Sequence, residues 1–183
     1  MTKKVILVHG WGGSPKEDWY NWLKKELIKK GYEVEAPEMP DTLNPKIDAW
    51  VGKLEEVFKE SEEVYLVGHS IGCQTIMRFL EKNNIKLKKV ILVAPWLSLT
   101  DETWDEDYTE EKAKPWIETP IDFDNVKTKA EKFVVVYSET DPYVPKDDPF
   151  VLKDKLGGEL INMGDGGHLD REEFPEIVEE IEK

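Results

Sequence analysis

The chain has 183 residues, with Asp+Glu 39 against Lys+Arg 25 and a formal net charge of -14. That is enough chain for one domain with a substantial core, and the acidity argues against nucleic acid and anionic membrane as partners, because both are bound through positive patches. Cys73 is the only cysteine, so no intrachain disulfide can form, and no apolar run approaches the roughly 20 residues needed to cross a bilayer.

No Pro/Ser-rich linker or composition break divides the chain, so residues 1–183 are read as one domain. The start, MTKKVILVHG, runs directly into a strand without a signal-peptide pattern, and a cytoplasmic protein is expected. The basic residues are nearly all lysine and Gln74 is the only glutamine, a bias that suits a thermophilic or an engineered sequence equally. Oligomeric state is not legible.

Residues 5–8 form a short apolar run that ends in His9-Gly10-Trp11-Gly12-Gly13, a buried strand followed by a glycine-rich loop. Ser14 or Pro15 opens a helix carrying Trp19, Trp22, Leu23, Leu27 and Ile28 at helical spacing, and Gly31 ends it. A second strand at 34–36 is closed by Pro37 and Pro40. Ile47, Val51, Leu54, Val57 and Phe58 mark the next amphipathic helix, and Trp50 belongs with them in the core. Val64-Tyr65-Leu66-Val67 then leads into Gly68-His69-Ser70-Ile71-Gly72 and a helix with Thr75, Ile76, Phe79 and Leu80 on one face. A fourth strand spans 88–94. The segment 96–130 is irregular, with one short helix expected at 109–114. A fifth strand at 133–138, a helix at 150–155, a sixth strand at 159–163 and a closing helix at 174–181 complete the chain. Short apolar strands alternating with amphipathic helices predict an α/β fold, a three-layer α/β/α sandwich around a six-stranded, mostly parallel sheet whose ligand site lies at the carboxyl ends of the strands.

The chemistry gathers at those ends. A serine on a tight strand-to-helix turn exposes its hydroxyl above the sheet, and glycines on both sides relieve the crowding. Gly-x-Ser-x-Gly is weak by itself; the apolar strand before it and the helix after it give Ser70 weight. A serine hydroxyl needs a base, oriented by an acid, to act as a nucleophile at neutral pH. Three histidines are available. His69 adjoins the serine, where the turn should aim it elsewhere, and His9 precedes the first loop, which leaves His168, in the glycine-rich loop after the last strand, as the base. For the acid, Asp141 competes with Glu139, Asp165 and Asp170, and is favoured by Pro142, which would fix its loop. The oxyanion of an acyl-transfer intermediate would be met by the Ile71 amide and a second amide from the first loop, that of Trp11. Trp96 is expected to bind substrate, and Trp104 and Trp116 are further candidates for a pocket wall. Cys73 reads as a small packing residue. The acidic runs Asp101-Glu102 and Asp105-Glu106-Asp107 read as a solvated face, since no histidine joins them as a metal ligand.

With these residues in view, the chain resembles an α/β-hydrolase, and in particular the small serine hydrolases typified by retinoblastoma-binding protein 9 and the YdeN group. The resemblance rests on the glycine-rich loop, Trp19-Tyr20-x-Trp22, Met39-Pro40-Asp41, Gly68-His69-Ser70-x-Gly72, Asp141-Pro142-x-x-Pro145 and Gly167-His168, and covers nearly the whole chain. It implies Ser70 as nucleophile, Asp141 as orienting acid and His168 as base, no large lid, and no metal or organic cofactor. Cys73 does not sit in a Leu-x-Cys-x-Glu segment, so no retinoblastoma-type partner is carried over. The expected activity is hydrolysis of small acyl esters, or of activated amides or thioesters, through an acyl-enzyme at an open site. The rival is a binding or scaffold protein that keeps the fold without turnover.

Overall fold

The computed structural model describes residues 3–59 and 63–183. Six strands, β1 (Lys3–Val8), β2 (Glu33–Glu35), β3 (Glu63–His69), β4 (Lys89–Val93), β5 (Phe133–Tyr137) and β6 (Glu159–Asn162), form one sheet in the order β2-β1-β3-β4-β5-β6. Every neighbouring pair is parallel. Parallel neighbours need crossovers, and the helices supply them: α1 (Asp18–Lys29), α2 (Ile47–Val57), α3 (Ile71–Lys82), α4 (Glu110–Glu118), α5 (Phe123–Val126), α6 (Asp148–Leu156) and α7 (Pro175–Glu182).

Strand alternation sends side chains into two cores. Ile6, Val8, Leu66, Val90, Leu92 and Val135 pack with α2, α3, α4 and α6, whereas Val5, Leu7, Val67, Ile91, Val93 and Val136 pack with α1 and α7. Burial on both faces explains why the central strands are unbroken apolar runs and not alternating ones. The chain runs from β1 outward to β2, then returns past β1 to β3, so the loops after β1 and β3 flank a switch in strand order. Such a switch opens a crevice at the carboxyl edge of the sheet.

Several elements differ from the sequence reading, including a single 3-10 turn at Asp101–Thr103 within the segment read as irregular. The first helix begins at Asp18, because residues 14–17 close a turn in which Glu17 N–H donates to the Ser14 carbonyl at 3.2 Å. The helix expected at 109–114 continues through Pro115 to Glu118, where Ala113 and Trp116 are buried. Proline forfeits one helical hydrogen bond, and burial of these side chains offsets the loss. The short α5, absent from the sequence reading, is started by Asp122, whose carboxylate accepts from Asn125 N–H. No helix among the described residues is long and apolar enough to cross a membrane.

Candidate active site

Ser70 sits between β3 and α3 with φ 53 and ψ -121, a conformation costly for any residue with a side chain. The turn is held from both sides: Ser70 N–H donates to the Val93 carbonyl at 2.9 Å, and Cys73 N–H donates to the Ser70 carbonyl at 2.9 Å. The glycines are required by close approach. A Cβ at Gly72 would stand 2.3 Å from the Val8 carbonyl oxygen, and one at Gly68 would stand 2.9 Å from the Cys73 nitrogen.

His168 Nδ1 lies 2.8 Å from Asp141 Oδ2. A carboxylate only accepts, so Nδ1 carries the proton and Nε2 presents its lone pair. Asp141 is itself fixed, since its Oδ1 accepts from the amides of Tyr143 at 2.9 Å and Val144 at 3.2 Å. Pro142, which has no N–H, occupies the one position in this turn where none is needed. Glu139, the nearest competitor, turns away to accept from Asn162 at 2.6 Å. Asp165 is exposed and outside the cavity lining.

Ser70 and His168 line one cavity of about 340 Å³, without a hydrogen bond between them. Ser70 Oγ instead accepts from the Trp96 indole at 3.3 Å, which leaves the hydroxyl proton free to be given away. Hydrogen bonds of this kind are commonly long before a substrate closes the site. Trp11 also lines the cavity, and Ile71 is fully buried at the start of α3. Among the described hydrogen bonds, neither the Trp11 nor the Ile71 amide donates to a protein acceptor. Trp104 and Trp116 do not line the cavity; Trp116 is core, with its indole donating to the Pro45 carbonyl at 3.1 Å.

His69, which the sequence reading aims elsewhere, forms part of the site. Its ring packs 4.9 Å from that of His168, and Tyr143 packs on His168 at 5.1 Å. His69 Nε2 lies 2.8 Å from the His168 carbonyl oxygen, so Nε2 carries its proton. Burial, and then the proximity of His168, pushes its pKa down to about 3, so the ring stays neutral at working pH. His9 is also structural: its Nε2 accepts from Met39 N–H at 3.1 Å and its Nδ1 donates to the Gly10 carbonyl, while burial lowers its pKa.

Other residues that the sequence reading missed hold Trp96 in place. Gln74 donates to the Trp96 carbonyl at 2.8 Å and accepts from Arg78. Asp148, at the start of α6, accepts from the amides of Leu97 and Ser98 at 2.7 and 2.9 Å. Their partners are far away in sequence, so only the uniqueness of Gln74 offered a signal. The acidic runs also land differently: Glu102 and Asp105 stand on the rim of the cavity and do not merely face solvent. Among the described residues no group of His, Cys, Asp and Glu is arranged to hold a metal ion.

A parallel sheet with helices on both faces, a serine on a strained strand-to-helix turn and a histidine at the last strand end define an α/β-hydrolase. A family model described as serine hydrolase matches residues 5–181, and the chain belongs to that family. It is 30% identical to the hydrolase YdeN of Bacillus subtilis over 92% of this chain and 87% of the relative, and 27% identical to serine hydrolase RBBP9 of Rattus norvegicus over 96% and 91%. The crystal structure of the B. subtilis ydeN product superposes with a TM-score of 0.87 at 26% identity, covering 99% of this chain and 97% of that one. The fold is also shared with Est1E from Butyrivibrio proteoclasticus, at a TM-score of 0.75 and 16% identity, over 98% of this chain and 85% of that one.

Proposed function

We propose that this serine hydrolase cleaves small carboxylic esters through an acyl-enzyme on Ser70. His168 Nε2 takes the Ser70 proton as Oγ attacks the ester carbonyl, and the negative charge that develops on the carbonyl oxygen is met by the Ile71 and Trp11 amides. As the tetrahedral intermediate collapses, His168 returns the proton to the leaving alcohol. Water then enters, gives a proton to His168 and attacks the acyl carbon, and the second collapse frees the acid and restores Ser70. Asp141 fixes the tautomer and orientation of His168 and stabilises the imidazolium. Trp96 walls the acyl pocket and, through its indole N–H, orients Oγ.

The observation that carries this reading is the 2.8 Å pair between His168 and Asp141, opening on a cavity that also contains a strained Ser70. No other histidine of the chain could act as the base. His9 has both ring nitrogens engaged with backbone groups, and His69 has its Nε2 proton held by the His168 carbonyl and a pKa pushed down to about 3, which makes it too weak a base.

A fluorophosphonate probe should label the wild type on Ser70, and p-nitrophenyl acetate should be hydrolysed well above background. Ser70→Ala should do neither. If the wild type neither labels nor exceeds Ser70→Ala, the chain is a binding protein on a hydrolase fold.

A further inference from the structure

The cavity above Ser70 has a one-sided charge. Glu17, Asp18, Glu102, Asp105 and Asp170 all line it, and no lysine or arginine does. An acidic chain has carboxylates everywhere, but elsewhere many are paired: Glu35 with Lys4, Glu55 with Lys82, Glu131 with Lys88 and Glu180 with Lys89 and Lys132. Among the described ion pairs, none of the five cavity carboxylates meets a lysine or arginine. The basic groups nearest them are two histidines: His69, 3.8 Å from Asp170 and neutral, and His168, which also lines the cavity and acts on Asp170.

A second, independent observation points to a ligand. Tyr20 lines the cavity and is only 2% exposed; the Gly10 backbone approaches its hydroxyl, but no hydrogen bond of full geometry forms there. Thr103 Oγ1, also in the lining, is buried and without a partner. Buried hydroxyls are rarely left unmatched, and an orphan that faces a cavity marks a position for a ligand group. The remaining wall is aromatic. Trp11 and Tyr108 meet edge to face at 5.4 Å, and Tyr143 stands beside His168. Carboxylates and ring faces share one preference, attracting an ammonium group and not an anion, and beside them the hydroxyl oxygens can accept from its N–H groups.

Resting on the serine-hydrolase reading of Ser70, we propose that this cavity selects substrates that carry an ammonium group within reach of the scissile ester. The cation replaces its lost hydration with the Tyr20 and Thr103 hydroxyls and the ring faces, and the five carboxylates draw it in. The same carboxylates disfavour acids, so the anionic product is expelled as it forms.

The ammonium could belong to the acyl part or to the alcohol, and two ester series separate these sources. One compares p-nitrophenyl esters of aminohexanoic acid, of heptanoic acid and of adipic acid as its monoester; the other compares acetylthiocholine with its uncharged carbon isostere. In at least one series kcat/KM should favour the cation by about tenfold or more over the neutral ester, a ratio that screening by salt reduces. The adipoyl ester should be the poorest substrate. In the double variant Asp18→Asn/Glu102→Gln the ratio of cationic to neutral kcat/KM should fall toward one, while Glu179→Gln on the exposed side of α7 should leave it unchanged. Calorimetric binding of the same esters to Ser70→Ala supplies a readout that does not need turnover. Equal or better use of the neutral ester in both series, or a preference that survives the double variant, overturns the inference. Absent turnover with a cation preference in binding to Ser70→Ala would instead sink the hydrolase reading and leave the cation site standing.

Discussion

His69 and His168 lie in contact, yet only one is free to exchange protons with a substrate. Burial, and then His168, holds the His69 pKa near 3, against an ordinary value of 6.5. The unfolded chain therefore binds a proton at this position that the folded chain refuses, and stability falls as pH drops from about 6.5 toward 3, by on the order of 5 kcal/mol in the limit. His69→Gln keeps a donor for the His168 carbonyl and removes the titration. Its Tm should vary less with pH across that window, and curves parallel to wild type would refute the assignment. Trp96 makes a separate contribution. Trp96→Phe keeps the ring but removes the N–H that holds Ser70 Oγ, and kcat should fall by up to about tenfold, as expected for one hydrogen bond, with KM less affected. The placing of Ser70, Asp141 and His168 together at one end of the sheet was legible because each follows a strand, with Pro142 and the family resemblance separating Asp141 from its competitors. His69 was not, because the direction of its ring depends on Trp19, Tyr20 and His168, which meet it only in the folded molecule.

At the scale of elements, the strand-to-helix corner leaves no room for a side chain at its second glycine. Gly72→Ala would drive Cβ against the carbonyl oxygens of Val8 and His9 at 2.3 and 2.8 Å, and backbone cannot move aside as a side chain can. A loss of more than about 4 kcal/mol is expected, or no folded protein, read from thermal denaturation and soluble yield. Asp148 is a milder case. Its carboxylate joins α6 to the loop that carries Trp96, so Asp148→Ala should leave two amides unmatched and lower Tm, with an effect on kcat that Trp96→Phe shares. Assayed together, these two changes should be less than additive in kcat; full additivity would show that Asp148 does not act through Trp96. The four central strands were legible in sequence because burial on both faces leaves them as continuous apolar runs, whereas the edge strands β2 and β6 are short and mixed, Glu33–Glu35 and Glu159–Asn162. The segment between β4 and β5 was not legible. Its tryptophans and acidic runs show no period, and their destinations, Trp116 in the core and Glu102 and Asp105 at the cavity rim, depend on how the segment folds back over the sheet edge.

Across the whole molecule, the edge of the sheet opposite the cavity is closed by an ionic cluster. Glu180 of α7 meets Lys89 of β4 and also Lys132, with Lys183 beside them, and the Lys89 ammonium donates to the Glu180 carbonyl as well. Burial alone would raise the Glu180 pKa, but hydrogen bonds from Lys132, Lys183 and Lys89 outweigh it and bring the pKa down to about 2. This stabilisation is complete above the ordinary value of 4.5 and is lost as pH falls toward 2. Glu180→Gln should cost about 3–5 kcal/mol because Lys89 is left buried without its partner, whereas Lys89→Met/Glu180→Leu should recover much of that loss. Urea denaturation of the three proteins tests this, and a double variant no more stable than Glu180→Gln would refute it. Cys73 offers a different measure of the whole. Its thiol lies one helical turn past Ser70, is fully buried, and donates to the Val93 carbonyl at 3.3 Å, while burial pushes its pKa well up. A disulfide reagent can reach that sulfur only when α3 lifts from the sheet, so its capture times the opening of the molecule at its centre. With a single thiol in the chain, that clock has one hand.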